Sequence, residues 1–110
     1  MSQRTAAGES LVVPSLLLAE VAGAIARRAG RPQVGQQAMV SVLHVPGLRV
    51  VALDAVLGRE AGRLAARLQL RGADAVYVAV ARALSLPLVT WDVEVQKRAA
   101  GIVIVRTPGN

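Results

Sequence analysis

The sequence predicts an α/β domain with a mainly parallel sheet, and three observations carry that prediction. Short aliphatic runs alternate with longer stretches of helical periodicity. Hydrophobic content is 54%, yet Tyr77 and Trp91 are the only aromatic residues. The core is therefore built from Leu, Val, Ile and Ala, which suits helices packed on strands buried on both faces. The length of 110 residues suits one domain with a thin core and leaves no room for two.

Each element follows from local signals. Residues 1–10 are polar and are expected to be a loose segment, with the domain itself over 11–106. Leu11, Val12 and Val13 form a strand that Pro14 ends. Pro14 and Ser15 open a helix that runs to about Arg28, with Leu17, Val21 and Ile25 at four-residue spacing. Gly30 and Pro32 stop it. Residues 33–45 are helix-like through Ala38, Val42 and Val45, and Pro46-Gly47 is a turn. Residues 48–53, centred on Val50-Val51, form a strand. Asp54 caps the next helix, which spans 55–71 and lines Leu57, Ala61, Leu64 and Leu68 along one face. Gly72 is placed to end it.

A helix over 74–84 turns Tyr77, Val78 and Ala81 inward. Residues 87–90 form a strand, 91–100 a helix or a turn plus helix, and 102–105 the last strand. There are no internal repeats.

Composition excludes several classes. With no cysteine, disulfides and thiolate–metal sites are ruled out, and the chain is compatible with a reducing cytoplasm. The longest apolar stretch, residues 11–26, is interrupted by Pro14, Ser15 and Glu20 and is too short to span a bilayer. The first ten residues lack the apolar run of a secretory signal. A cytoplasmic protein without a membrane partner is expected. The net charge of +6 favours a polyanionic partner, of which nucleic acid is the commonest. Arginine excess can equally reflect a GC-rich coding sequence, so charge alone leaves this open.

The acidic residues are Glu9, Glu20, Asp54, Glu60, Asp74, Asp92 and Glu94. Asp92 falls just past the strand Leu88-Val89-Thr90, and open α/β sheets place ligands at the carboxyl ends of their strands. Asp74 opens a helix after Gly72-Ala73. Glu20 sits in an otherwise apolar helix. Three such carboxylates brought together would make a hard-oxygen site for Mg²⁺ or Mn²⁺. Each also has an ordinary reading: Asp92 as a helix cap, Asp74 as a charge at a helix dipole, Glu20 as an exposed boundary residue. Asp54 is assigned to capping, Glu60 to a solvated helix face, and Glu9 to the loose segment. Glu94 is expected to be exposed.

Arg59, Arg63, Arg67 and Arg71 recur every four residues on the helix predicted over 55–71. They form either a track for an RNA backbone or, the reading favoured here, a solvated face. His44 has no Ser or Cys partner and is read as structural. Trp91, as a lone aromatic, is read as packing rather than as a platform for a base.

Three segments together carry a resemblance. Val13-Pro14-Ser15-Leu16-Leu17-Leu18-Ala19-Glu20 resembles the PIN-domain segment in which a proline precedes a helix bearing a metal-site glutamate. Leu70-Arg71-Gly72-Ala73-Asp74-Ala75-Val76-Tyr77-Val78-Ala79 resembles the second acidic motif, and Leu86-Pro87-Leu88-Val89-Thr90-Trp91-Asp92 the third. They occur in the family's order and cover about residues 10–106. The resemblance is to PIN domains of the VapC-like toxins. It implies a three-layer α/β/α fold with a mainly parallel central sheet and Mg²⁺- or Mn²⁺-dependent endonucleolytic hydrolysis of RNA. It also implies Glu20, Asp74 and Asp92 as catalytic metal ligands, Thr90 orienting a carboxylate or water behind them, and an antitoxin protein as partner.

One feature departs from the family. Its first strand ends in an aspartate that completes the acidic cluster, and nothing before Leu11 supplies either. The resemblance therefore implies an N-terminally truncated domain with a gap in mid-sheet, flanked by residues 11–13 and 88–90. Exposed strand edges beside apolar side chains favour association. Expected consequences are weakened or absent catalysis and a homo-oligomer, or a shift of residues 11–13 to pair with 88–90. Two functions stand: a metal-dependent endoribonuclease, or a non-catalytic PIN-like module that sequesters an antitoxin or other protein.

Overall fold

The computed structural model describes residues 11–109, which fall into two compact units, 11–52 and 53–109. The loose segment expected over residues 1–10, with Glu9, lies outside the described residues.

The first unit is a strand, a helical hairpin and a second strand. β1 (Leu11–Pro14) is followed by α1 (Leu16–Ala29), α2 (Pro32–Leu43) and β2 (Leu48–Val51). β1 and β2 pair in parallel, with Leu11 opposite Leu48 and Pro14 opposite Val51. Ser15 donates its N–H to Val51 O at 2.8 Å and extends the ladder past the proline. Ser15 stands at the start of α1, but its side chain makes no capping bond, because its backbone is already helical and the capping geometry needs an extended residue.

Gly30 ends α1 in the left-handed region at φ 68°, with its N–H bonded to Ala26 O. That is the usual work of a C-terminal glycine. Pro32 is not a stop for α1. It occupies the first turn of α2, where its missing N–H costs nothing. The hairpin closes tightly on Gly35, the buried residue of α2. A Cβ there would lie 2.3 Å from Ala22 O and 2.8 Å from Ala26 Cβ. His44 follows α2, and its Nδ1 lies 2.8 Å from Val40 O, a helix-end role that agrees with the structural reading.

The second unit holds α3 (Ala55–Leu68), α4 (Gly72–Ala83), β3 (Leu88–Val89), α5 (Val93–Ala99) and β4 (Val105–Arg106). Asp54 caps α3 by accepting from Leu57 N at 2.8 Å. α3 presents Ala61 and Leu64 to the core, with Leu64 only 1% exposed. α4 is the most buried helix described: Ala75, Val76, Val78, Ala79, Val80 and Ala81 are all buried. Alternating Ala with Val lets neighbours pack close to its backbone without voids. β3 and β4 pair in parallel, Leu88 opposite Val105 and Val89 opposite Arg106.

The predicted order of strands and helices is the observed one. Some bounds are corrected: the last strand is Val105–Arg106 and not residues 102–105. α3 ends at Leu68 and not at residue 71, because Gln69 takes the left-handed conformation at φ 55°, and Gly72 begins α4 instead of ending α3. Arg71 consequently leaves the α3 arginine row. The α/β fold with parallel strands is the one expected: the described residues form two two-stranded parallel sheets, β1–β2 in the first unit and β3–β4 in the second. The alternative pairing of residues 11–13 with 88–90 is not among these ladders.

Candidate functional site

The second unit gathers a polar site at the carboxyl end of β3. The backbone turns there through Thr90, Trp91 and Asp92 into α5. Thr90 Oγ1 accepts a hydrogen bond from the Asp92 N–H at 3.0 Å. Gln96 Nε2 donates to Thr90 O at 2.9 Å. Asp92 caps α5 by accepting from Val95 N on Oδ1 at 3.2 Å. The turn is thus tied to the helix it opens, and the Asp92 carboxylate is held by the backbone that follows it.

Asp74 sits in the first turn of α4, where the helix dipole favours a carboxylate. Arg71, extended at the start of the same helix, reaches both acids. Its Nε lies 3.2 Å from Asp74 Oδ2 and its Nη2 lies 3.5 Å from Asp92 Oδ2. One guanidinium therefore bridges two carboxylates. A second tie joins the same regions: Arg98 of α5 donates from Nη1 to Gln69 O at the end of α3 and pairs with Glu94 at 3.1 Å.

The structure thus brings Asp74 and Asp92 together around Arg71. Asp92 serves as cap and as ion-pair acceptor at once, one oxygen for each role. Thr90 acts on the main chain of Asp92: its hydroxyl fixes the backbone that carries the carboxylate. Glu20 stands in the first unit at an exposed position of α1. Among the described residues no group of three or more Asp, Glu, His or Cys side chains gathers to hold a metal ion.

The arginine row is shorter than expected. Arg59, Arg63 and Arg67 lie exposed on α3, and Arg63 pairs with Glu60 at 3.1 Å. Glu60 is more than a solvated charge, because it also meets Arg82 of α4 at 3.2 Å and so links the two helices. Trp91 is not packing: it is 75% exposed, immediately before Asp92. Gln96 was missed in the sequence. Its position four residues after a helix-capping Asp was the available signal, since that spacing returns a side chain over the first turn. No described helix is long and apolar enough to cross a membrane.

A family model for the PIN domain matches residues 2–102. No match was found among curated proteins or among solved structures. PIN domains are nuclease-like in general and generally use divalent metals. The match takes in all three acidic segments and the whole of β1 through α5, and the chain belongs to the PIN domain family.

Proposed function

We propose that this chain is a Mg²⁺- or Mn²⁺-dependent endoribonuclease of the VapC-like toxin type. The observation that carries this reading is the pairing of Asp74 with Asp92 at the carboxyl end of β3, around a single cation. The donor set fits a divalent metal. Carboxylate oxygens are the hard ligands Mg²⁺ and Mn²⁺ prefer, and two of them already face one shared positive charge. Asp74, Asp92 and Glu20 are the proposed ligands.

A bound divalent ion would polarise the scissile phosphate and lower the pKa of a water for in-line attack. The chain's own residues supply the rest. Thr90 and Gln96 fix the backbone beneath Asp92, so that its carboxylate needs little reorganisation to bind. Exposed arginines on α3 supply positive charge for an RNA backbone. The exposed indole of Trp91 offers a face on which a base can stack beside the acids. An antitoxin is the proposed protein partner. The exposed apolar side chains Val40 and Leu43 at the end of α2 are consistent with a covered surface, as is self-association through open strand edges. The site of action proposed is the cytoplasm.

The second reading, a non-catalytic module that sequesters a protein partner, is favoured by one observation: the described residues gather no third carboxylate around the pair. An RNA cleavage assay separates the two. The endonuclease reading expects fragments from structured RNA in millimolar Mg²⁺ and none with chelator. Intact RNA under both conditions, from a protein that binds Mn²⁺ and remains folded, would favour the binding module.

A further inference from the structure

Arg71 bridges Asp74 and Asp92, the two acids that a shared cation would use. Its Nε and Nη2 face Oδ2 of Asp74 and Oδ2 of Asp92. A divalent ion shared by the two acids needs lone pairs on those carboxylates at about 2.1 Å. The guanidinium already takes an oxygen of each. We infer that Arg71 is a built-in competitor for the divalent ion, a resident counter-ion that must leave the carboxylate pair when metal loads. This inference rests on the function proposed above.

Like-charge repulsion supports the exclusion: a dication and a guanidinium held against the same Oδ2 atoms of Asp74 and Asp92 would place two cations in one small volume.

The geometry also says which cation yields. The Arg71 side chain is 81% exposed, whereas those of Asp74 and Asp92 are 27% and 38% exposed. Both contacts are longer than the roughly 2.7–2.9 Å of a well-formed charge-assisted bond. Asp92 is further held by Val95 N and by the Thr90 turn. The acids therefore stay and the arginine moves. Exposed pairs of this kind are weak, so the exchange is inexpensive. Once displaced, the guanidinium lies in solvent beside the loaded site, with a planar fork suited to a phosphodiester oxygen. The fork keeps the two acids from repelling each other before metal arrives.

Mn²⁺ titration followed by the electron paramagnetic resonance of the free ion tests this at low ionic strength on the whole chain. Four proteins are compared: wild type, Arg71→Gln, Arg71→Lys and Asp74→Asn. Arg71→Gln is expected to bind Mn²⁺ about tenfold more tightly than wild type, since it removes a positive charge from contact with the ligands. Arg71→Lys, which keeps the charge without the fork, should fall between them and serves if the Gln variant folds poorly. Added salt should narrow the gap between Arg71→Gln and wild type, because it screens the competing charge. Mn²⁺ should raise the melting temperature of Arg71→Gln more than that of wild type, which a merely structural arginine would not produce.

Unchanged or weaker Mn²⁺ binding in Arg71→Gln and Arg71→Lys, with binding lost in Asp74→Asn, would overturn the competitor role and leave the proposed metal site standing. Equal binding in Asp74→Asn and wild type would overturn the metal site, and the competitor role with it.

Discussion

Asp74→Asn is expected to reduce Mg²⁺-dependent RNA cleavage by at least about a hundredfold while leaving the fold intact. Removing a group that merely supports a metal ligand already costs about 10- to 100-fold, so loss of a ligand carboxylate should cost no less. Asparagine keeps the shape and removes the charge. The structural cost is small, because Asp74 caps nothing in α4 and its ion pair joins an exposed arginine. Such a pair contributes about 0–1 kcal/mol. Initial cleavage rates, measured beside circular-dichroism melting curves, read the two effects separately. A variant that folds normally and cleaves at the wild-type rate would remove Asp74 from the metal site.

The second large effect falls on stability and lies far from the acids in sequence. Gly35→Ala should destabilise the chain by about 2 kcal/mol. The new Cβ would meet Ala22 O at 2.3 Å and the Ala26 backbone N at 3.1 Å. These are main-chain atoms of α1, so no side-chain rotation relieves the clash and the two helices must separate. Alanine's better helix propensity returns only about 1 kcal/mol of this. Gly62→Ala in α3 is the control. Nothing lies within 4 Å of its added Cβ, and it should stabilise by about 0.5–1 kcal/mol. Urea denaturation should therefore move the two midpoints in opposite directions. A midpoint for Gly35→Ala at or above wild type would contradict the tight hairpin.

The order of elements was legible because its signals are local. Asp54 as a cap, Gly30 as a stop and the aliphatic runs at 11–13 and 48–51 each act within a few residues and appear where the chain places them, whereas the last strand falls at Val105–Arg106 and not over 102–105. The end of α3 was misread because Gln69 adopts a left-handed conformation that L residues seldom take. Gly72 nearby looked like the better stop. The site was half legible. Asp74 and Asp92 could be singled out by position, but their bridging by Arg71 joins residues about twenty apart in sequence, which only the folded chain brings together. The spacing of Arg71 three residues before Asp74 was a visible hint of one half of that bridge. The exposure of Trp91 was not legible, because a lone aromatic in an aliphatic sequence reads as core until its neighbours in space are known.

The central proposal is that Asp74 and Asp92 hold a divalent ion. Paramagnetic broadening of amide signals by substoichiometric Mn²⁺ tests it most directly, since the effect reports distance from the ion residue by residue. The prediction is that amides of 72–77 and 90–95 broaden first and together. Broadening confined to other acids such as Glu60 and Glu94, with residues 72–77 and 90–95 unaffected, would contradict it.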